Sequence, residues 1–150
     1  MPSHRRYTVD TSLYIDALRT DDGRAALQAF HAAYAPFERL SAVVVHELRA
    51  GVRGRAATVL EDAVVAPFER RGRVLAPSFA AWKEAGRVLS ELIAPTEWRG
   101  VTRSFVNDAL LAMSCRESGI VLVTKNVRDF ARIAAVRPFD FVPPWPIPAA

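Results

Sequence analysis

The sequence predicts an α/β fold built on a parallel sheet, and three stretches predict it. Residues 120–124, IVLVT, form a short unbroken apolar run rich in β-branched residues, the pattern of a parallel strand covered on both faces. A helix precedes it, in which Phe105, Ala109, Ala112 and Met113 recur at helical spacing and Gly119 closes the end. Residues 7–9 and 40–45 read as further strands, each leading into a helical stretch. In an open sheet of this kind, ligands sit beyond the carboxyl ends of the strands. Thr124, Lys125 and Asn126 fall there.

Along the chain, Tyr7-Thr8-Val9 ends a first strand and Asp10-Thr11-Ser12 turns into a helix over 13–18. Asp10 fits two roles: a helix cap worth about 1 kcal/mol, or a ligand at a strand end. Asp16, Asp21 and Asp22 read as a solvated helix end. Ala26, Leu27, Phe30 and Ala33 give a helix over 23–34, which Pro36 helps to stop. Residues 40–45 then supply a second β-branched strand running directly into HELRAG, so Glu47 again follows a strand. Its other reading is an exposed helix residue paired with an arginine. His46 has no second histidine at i+4, so a zinc-binding helix is not supported.

Residues 56–65 continue helically until Pro67 interrupts. Arg70-Arg71-Gly72-Arg73 is a basic turn before a short strand, Val74-Leu75; it reads as a solvated loop, with phosphate contact as the alternative. From Ser78, the residues Phe79, Trp82, Gly86, Leu89 and Ile93 form an apolar stripe ended by Pro95, either core or partner surface. Ser104 is expected to cap the next helix, with Asp108 in its first turn. Pro138, Pro143, Pro144, Pro146 and Pro148 are half of the ten prolines in the chain, so the tail over 138–150 cannot form a helix and is expected to lie across the body or fray. With no repeat or linker, residues 1–150 read as a single domain.

Composition agrees. At 150 residues and 51% hydrophobic, the chain can bury a core without disulfides or a structural metal. Cys115, the single cysteine, falls on the helix beside Ala112 and reads as a buried thiol. The first residues lack the apolar core of a signal peptide, and no apolar run is long enough to cross a bilayer, so a soluble cytoplasmic protein is expected. The net charge is +4, and only Lys83 and Lys125 are lysines. Arginine's planar fork suits phosphate and bases, which permits a nucleic-acid partner without demanding one.

Asp10, Glu47, Asp108 and Asn126 converge if the strands that precede them are parallel neighbours. Like charges gathered in one place are unfavourable without a cation, and Mg²⁺ or Mn²⁺ takes a few carboxylates while water and phosphate fill its other positions. That is a nuclease-like arrangement, in which the metal activates a water at a scissile phosphate.

These residues also carry a resemblance. The pattern VDTS near the N-terminus, VVHELRAG at one third, then NDALLA and VTKNVRDF is similar to PIN domains, and specifically to VapC-type toxins, over about residues 7–142. The resemblance implies a three-layer α/β/α sandwich around a central parallel sheet. It implies an Mg²⁺- or Mn²⁺-dependent endoribonuclease, neutralised by a VapB-type antitoxin, and a homodimer. Asp10, Glu47 and Asp108 match the family's three catalytic and metal-binding carboxylates, with Ser12 and Thr124 as supporting hydroxyls. Either Asn126 or Asp129 serves the fourth position; the two also fit a helix cap and its partner. Arg49, Lys125 and Arg128 are candidate RNA contacts or plain surface charges. From another class stands a catalytically inactive PIN-like module acting through protein contacts alone. A phosphoacceptor receiver domain lacks its acidic pair here, and a zinc hydrolase lacks its ligands.

Overall fold

The structure is a computed structural model in which residues 5–145 are described. Five parallel strands form one sheet in the order β3-β2-β1-β4-β5: β1 Arg6–Val9, β2 Glu38–Ser41, β3 Val74–Leu75, β4 Ile120–Val123 and β5 Phe141–Val142. The expected parallel sheet is therefore present. The chain leaves β1 toward β2 and β3 on one side, then returns to place β4 on the other. β1 and β4 pair throughout, from Arg6 opposite Ile120 to Val9 opposite Val123. The topological switch point lies between them.

Right-handed crossovers put helices on both faces of such a sheet. α1 (Thr11–Arg19), α2 (Asp21–Tyr34), α3 (Ala42–Ala50), α4 (Arg55–Val59) and α5 (Ala66–Arg70) make one group, with α1 packed on α2 and α3. α6 (Phe79–Leu92), α7 (Arg103–Ser118) and α8 (Val127–Val136) make the other, all three packed together. The result is the α/β/α sandwich. Strand β4 is buried along its whole length, as its apolar run requires, and Leu111, Phe130 and Ile133 lie in the core with it. Gly119 closes α7 in the left-handed conformation, φ 63°, which glycine adopts without a Cβ penalty.

Several expectations are corrected. Only the first part of the 40–45 run is strand: Ser41 caps α3 through a bond from Val43 N, so Val43 to Val45 are helical and Glu47 lies in the second turn of α3. The β-branched residues are helical because burial of Val43 and Val44 outweighs a helix-propensity cost of a few tenths of a kcal/mol each. Thr102, not Ser104, caps α7, moving Asp108 to the second turn. Pro67 does not end its helix. A wide turn over Leu60–Val65 joins α4 to α5, and with its altered hydrogen-bond ladder the proline can enter at the start of α5. The stripe on α6 is split: Leu89 and Ile93 are buried, whereas Phe79 and Trp82 are 78% and 60% exposed. The proline-rich tail supplies the fifth strand, with Leu122 opposite Phe141; residues 146–150 lie outside the described part.

Candidate active site

Asp10 leaves the end of β1 and caps α1, so both of its anticipated positions are real. Its backbone N–H donates to Val123 O at 2.9 Å, while its Oδ1 accepts from Thr11 N at 2.8 Å. Thr124, the first residue beyond β4, donates its Oγ1 hydrogen to Asp10 Oδ2 at 2.7 Å and is fully buried. Ser12 Oγ reaches the same oxygen at 3.4 Å, a longer and weaker bond. The two strands at the switch point thus fix one carboxylate.

α3 and α7 pack together and bring the other two. Glu47 is half-buried and accepts from Thr11 Oγ1 at 2.9 Å and from the Asn107 side chain. Asp108 is 4% exposed, and its Oδ2 accepts from Asn126 Nδ2 at 3.2 Å. Asn126 also donates to Asp129 Oδ2 at 3.2 Å, and its own N–H is held by Thr124 Oγ1. Its side chain makes no cap bond to α8, so the bridging position is occupied in preference to the capping one.

Thr11 and Asn107 were not foreseen as site residues. Each neighbours a residue that was, but one helical step turns a side chain about 100° away, so only packing shows that both reach Glu47.

The charges are uncompensated. Among the described residues no lysine, arginine or histidine forms an ion pair with Asp10, Glu47 or Asp108. Burial first, then the charges of Asp10, Glu47 and Asp129, push Asp108 up to about 8, against a bond from Asn126. Burial raises Asp10 despite three hydrogen bonds, and burial with the Asp10 charge raises Glu47. The donors are all hard oxygen, the set that suits Mg²⁺ or Mn²⁺. Among the described residues no three acidic, histidine or cysteine side chains cage an ion by themselves. Mg²⁺ is ordinarily held by one or two carboxylates with water, and needs no such cage.

The candidate RNA contacts divide. Lys125 is tied to Asp16 of α1 at 2.6 Å, so Asp16 is not simply a solvated helix end. Arg49 donates to Val52 O at 3.3 Å, and Arg128 is exposed on the first turn of α8. His46 is exposed on α3 beside Glu47. Cys115 is buried, with its thiol pushed up by burial, as its helix position predicts.

The PIN domain family model matches residues 7–136. The chain belongs to the PIN domain family. No curated protein matches the sequence. Among solved structures, this PIN domain is similar to FitAcB from Neisseria gonorrhoeae, with 19% identity, a TM-score of 0.65, and 94% of this chain and 99% of that one covered. DNA-bound VapBC from Salmonella typhimurium gives 21% identity and a TM-score of 0.64, over 93% and 98% of the two chains. A toxin–antitoxin complex from Klebsiella pneumoniae gives 18% and 0.52, over 89% and 98%. At these identities the likeness is one of fold. No helix among the described residues is long and apolar enough to cross a membrane.

Proposed function

We propose that this PIN domain is a cytoplasmic endoribonuclease toxin dependent on Mg²⁺ or Mn²⁺, kept silent by a VapB-type antitoxin. The observation that carries the reading is the convergence of Asp10, Glu47 and Asp108 beyond the strand ends, with no cationic side chain paired to any of them among the described residues. Asp10, Glu47 and Asp108 would hold the cation between them, one or two directly and the rest through bound water. Bound there, a divalent cation would supply a water of lowered pKa and would stabilise charge at the phosphodiester. Thr124 and Ser12 orient Asp10, Thr11 and Asn107 orient Glu47, and Asn126 links Asp108 to Asp129. Such outer partners set the direction in which a carboxylate offers its oxygens. Lys125, Arg49 and Arg128, all exposed, are assigned to RNA phosphates.

The antitoxin segment is assigned to a groove of about 690 Å³ walled by α1, α2, α3 and α4. The structural neighbours, which include a toxin–antitoxin complex, support a protein partner of that kind. A second copy of the chain is assigned to α6, where Phe79 and Trp82 stand exposed one turn apart.

The test is cleavage of total RNA by purified protein with Mg²⁺ or Mn²⁺ against EDTA, beside Asp10→Asn and Asp108→Asn. Discrete metal-dependent fragments lost in both variants are expected. No cleavage, together with no metal binding by calorimetry, would replace the nuclease with a catalytically inactive interaction module.

A further inference from the structure

The stretch between α6 and α7 carries groups that neither the core nor the acidic site uses. It makes one turn of 3-10 helix over Trp98–Gly100, and Thr102 then caps α7. α7 leads through Gly119 straight into β4, so its first turns lie at the carboxyl edge of the sheet, where Asp108 meets Asn126. Trp98 is 46% exposed and stands outside the core. Arg99 and Arg103 are exposed and make no ion pair among the described residues. Arg103 and Asn107 are four residues apart on α7, which puts them on one face and about 6 Å apart along its axis. The Asn107 side chain donates to Glu47, so that face turns toward the acidic site. A pocket of about 320 Å³ is lined by Gly100 and Thr102 together with Asp129, which Asn126 links to Asp108, so the turn and the acidic site adjoin.

One exposed indole is ordinary on a protein surface. What distinguishes Trp98 is its company. Pro95, Thr96, Glu97, Arg99 and Gly100 around it are exposed and offer no contiguous apolar patch to a docked protein segment. An unpaired RNA strand alternates flat bases with phosphates, and aromatic rings stack on the first while arginines take the second. Glu97 sets one carboxylate against two guanidinium groups, so the stretch 97–103 is net positive. Arg132, which also lines the pocket, is already engaged, 4.9 Å over the Phe105 ring and 3.8 Å from Asp129. Bases inside a duplex are closed to such a platform.

We propose that Trp98, Arg99 and Arg103 form a subsite for single-stranded RNA beside the acidic site, in which the indole stacks on one base and the two arginines hold the phosphates that flank it. The inference rests on the nuclease reading and adds the substrate class, an unpaired strand gripped to one side of the cut. Stacking accepts every base, so the subsite selects for an open strand rather than for a sequence.

The experiment measures, by anisotropy, the binding of a short fluorescein-labelled single-stranded RNA in EDTA, where the strand stays whole. Trp98→Ala should bind it roughly five- to a hundredfold more weakly than wild type, with the slope of log affinity against log salt unchanged, and Trp98→Phe should recover most of the loss. Arg99→Ala and Arg103→Ala should each lower that slope by about 0.7–1. A strand with one base removed, the gap being moved along it, should at one position bind wild type as weakly as the whole strand binds Trp98→Ala, and should lose nothing further on that variant. Trp98→Ala should melt with wild type, since the indole lies outside the core. Equal affinity of wild type and Trp98→Ala, or a loss that no missing base reproduces, would overturn the inference and leave the nuclease standing. Wild type that neither binds the strand nor cuts it with Mg²⁺ or Mn²⁺ would overturn both.

Discussion

Asp108 offers a test of the acidic site that needs no substrate. Below pH 4 its carboxyl is protonated in the folded and unfolded chains alike. Between about 4 and 8 the unfolded chain ionises while the folded one, with Asp108 raised to about 8, holds its proton, so each increment of pH favours unfolding. Stability due to this group is complete below pH 4 and lost as pH rises through 8. Moving the carboxyl from 3.8 to about 8 corresponds to about 6 kcal/mol at the limit. Because Asp10 and Glu47 share the repulsion, about 2–5 kcal/mol is expected, or roughly 5–15 °C in melting temperature for a chain of this size. Asp108→Asn keeps the shape and removes the charge. In EDTA, wild type should lose this much relative to the variant between pH 4.5 and 8.5, and Mg²⁺ or Mn²⁺ should narrow the gap at the higher pH. Thermal melts of both proteins decide it: parallel curves across this range would refute the account of an acidic cluster strained by its own charge.

Three further outcomes follow from the same geometry. Thr11→Val deletes the hydroxyl that orients Glu47 and should weaken Mn²⁺ binding by roughly tenfold, measured by titration calorimetry; unchanged affinity would leave Thr11 as a simple helix residue. Lys125→Ala should lower the slope of log affinity against log salt for RNA by about 1, and an unaltered slope would place Lys125 with Asp16 as a structural pair only. Phe130→Ala removes a fully buried side chain packed against Phe139 and should cost about 3–5 kcal/mol, read from the denaturant midpoint.

What could be read along the chain was what depends on near neighbours. The 120–124 run identifies a covered strand because it is short, rich in β-branched residues and set off from the preceding helix by Gly119. Asp10 and Thr124 could be placed at strand ends by counting alone, and two strands that pair residue for residue necessarily bring their first following residues together. Cys115 could be assigned to the core from the helical periodicity of its neighbours. In contrast, Val43 to Val45 have strand-like side chains and became helical because the Ser41 hydroxyl and the burial of Val43 and Val44 favour that state.

By itself, then, the sequence determined the α/β class, the strands at the switch point and the place of Asp10 at a strand end, since these follow from side-chain type and short-range spacing. Only the tertiary structure decided that Thr11 and Asn107 serve Glu47, that Asn126 bridges Asp108 and Asp129, that Lys125 is tied to Asp16, and that Phe79 and Trp82 face outward while Leu89 turns inward. It likewise decided that Phe141 and Val142 join the sheet. The reason is distance along the chain: Thr11 and Glu47, or Lys125 and Asp16, are brought together by sheet order and helix packing, which depend on many elements at once.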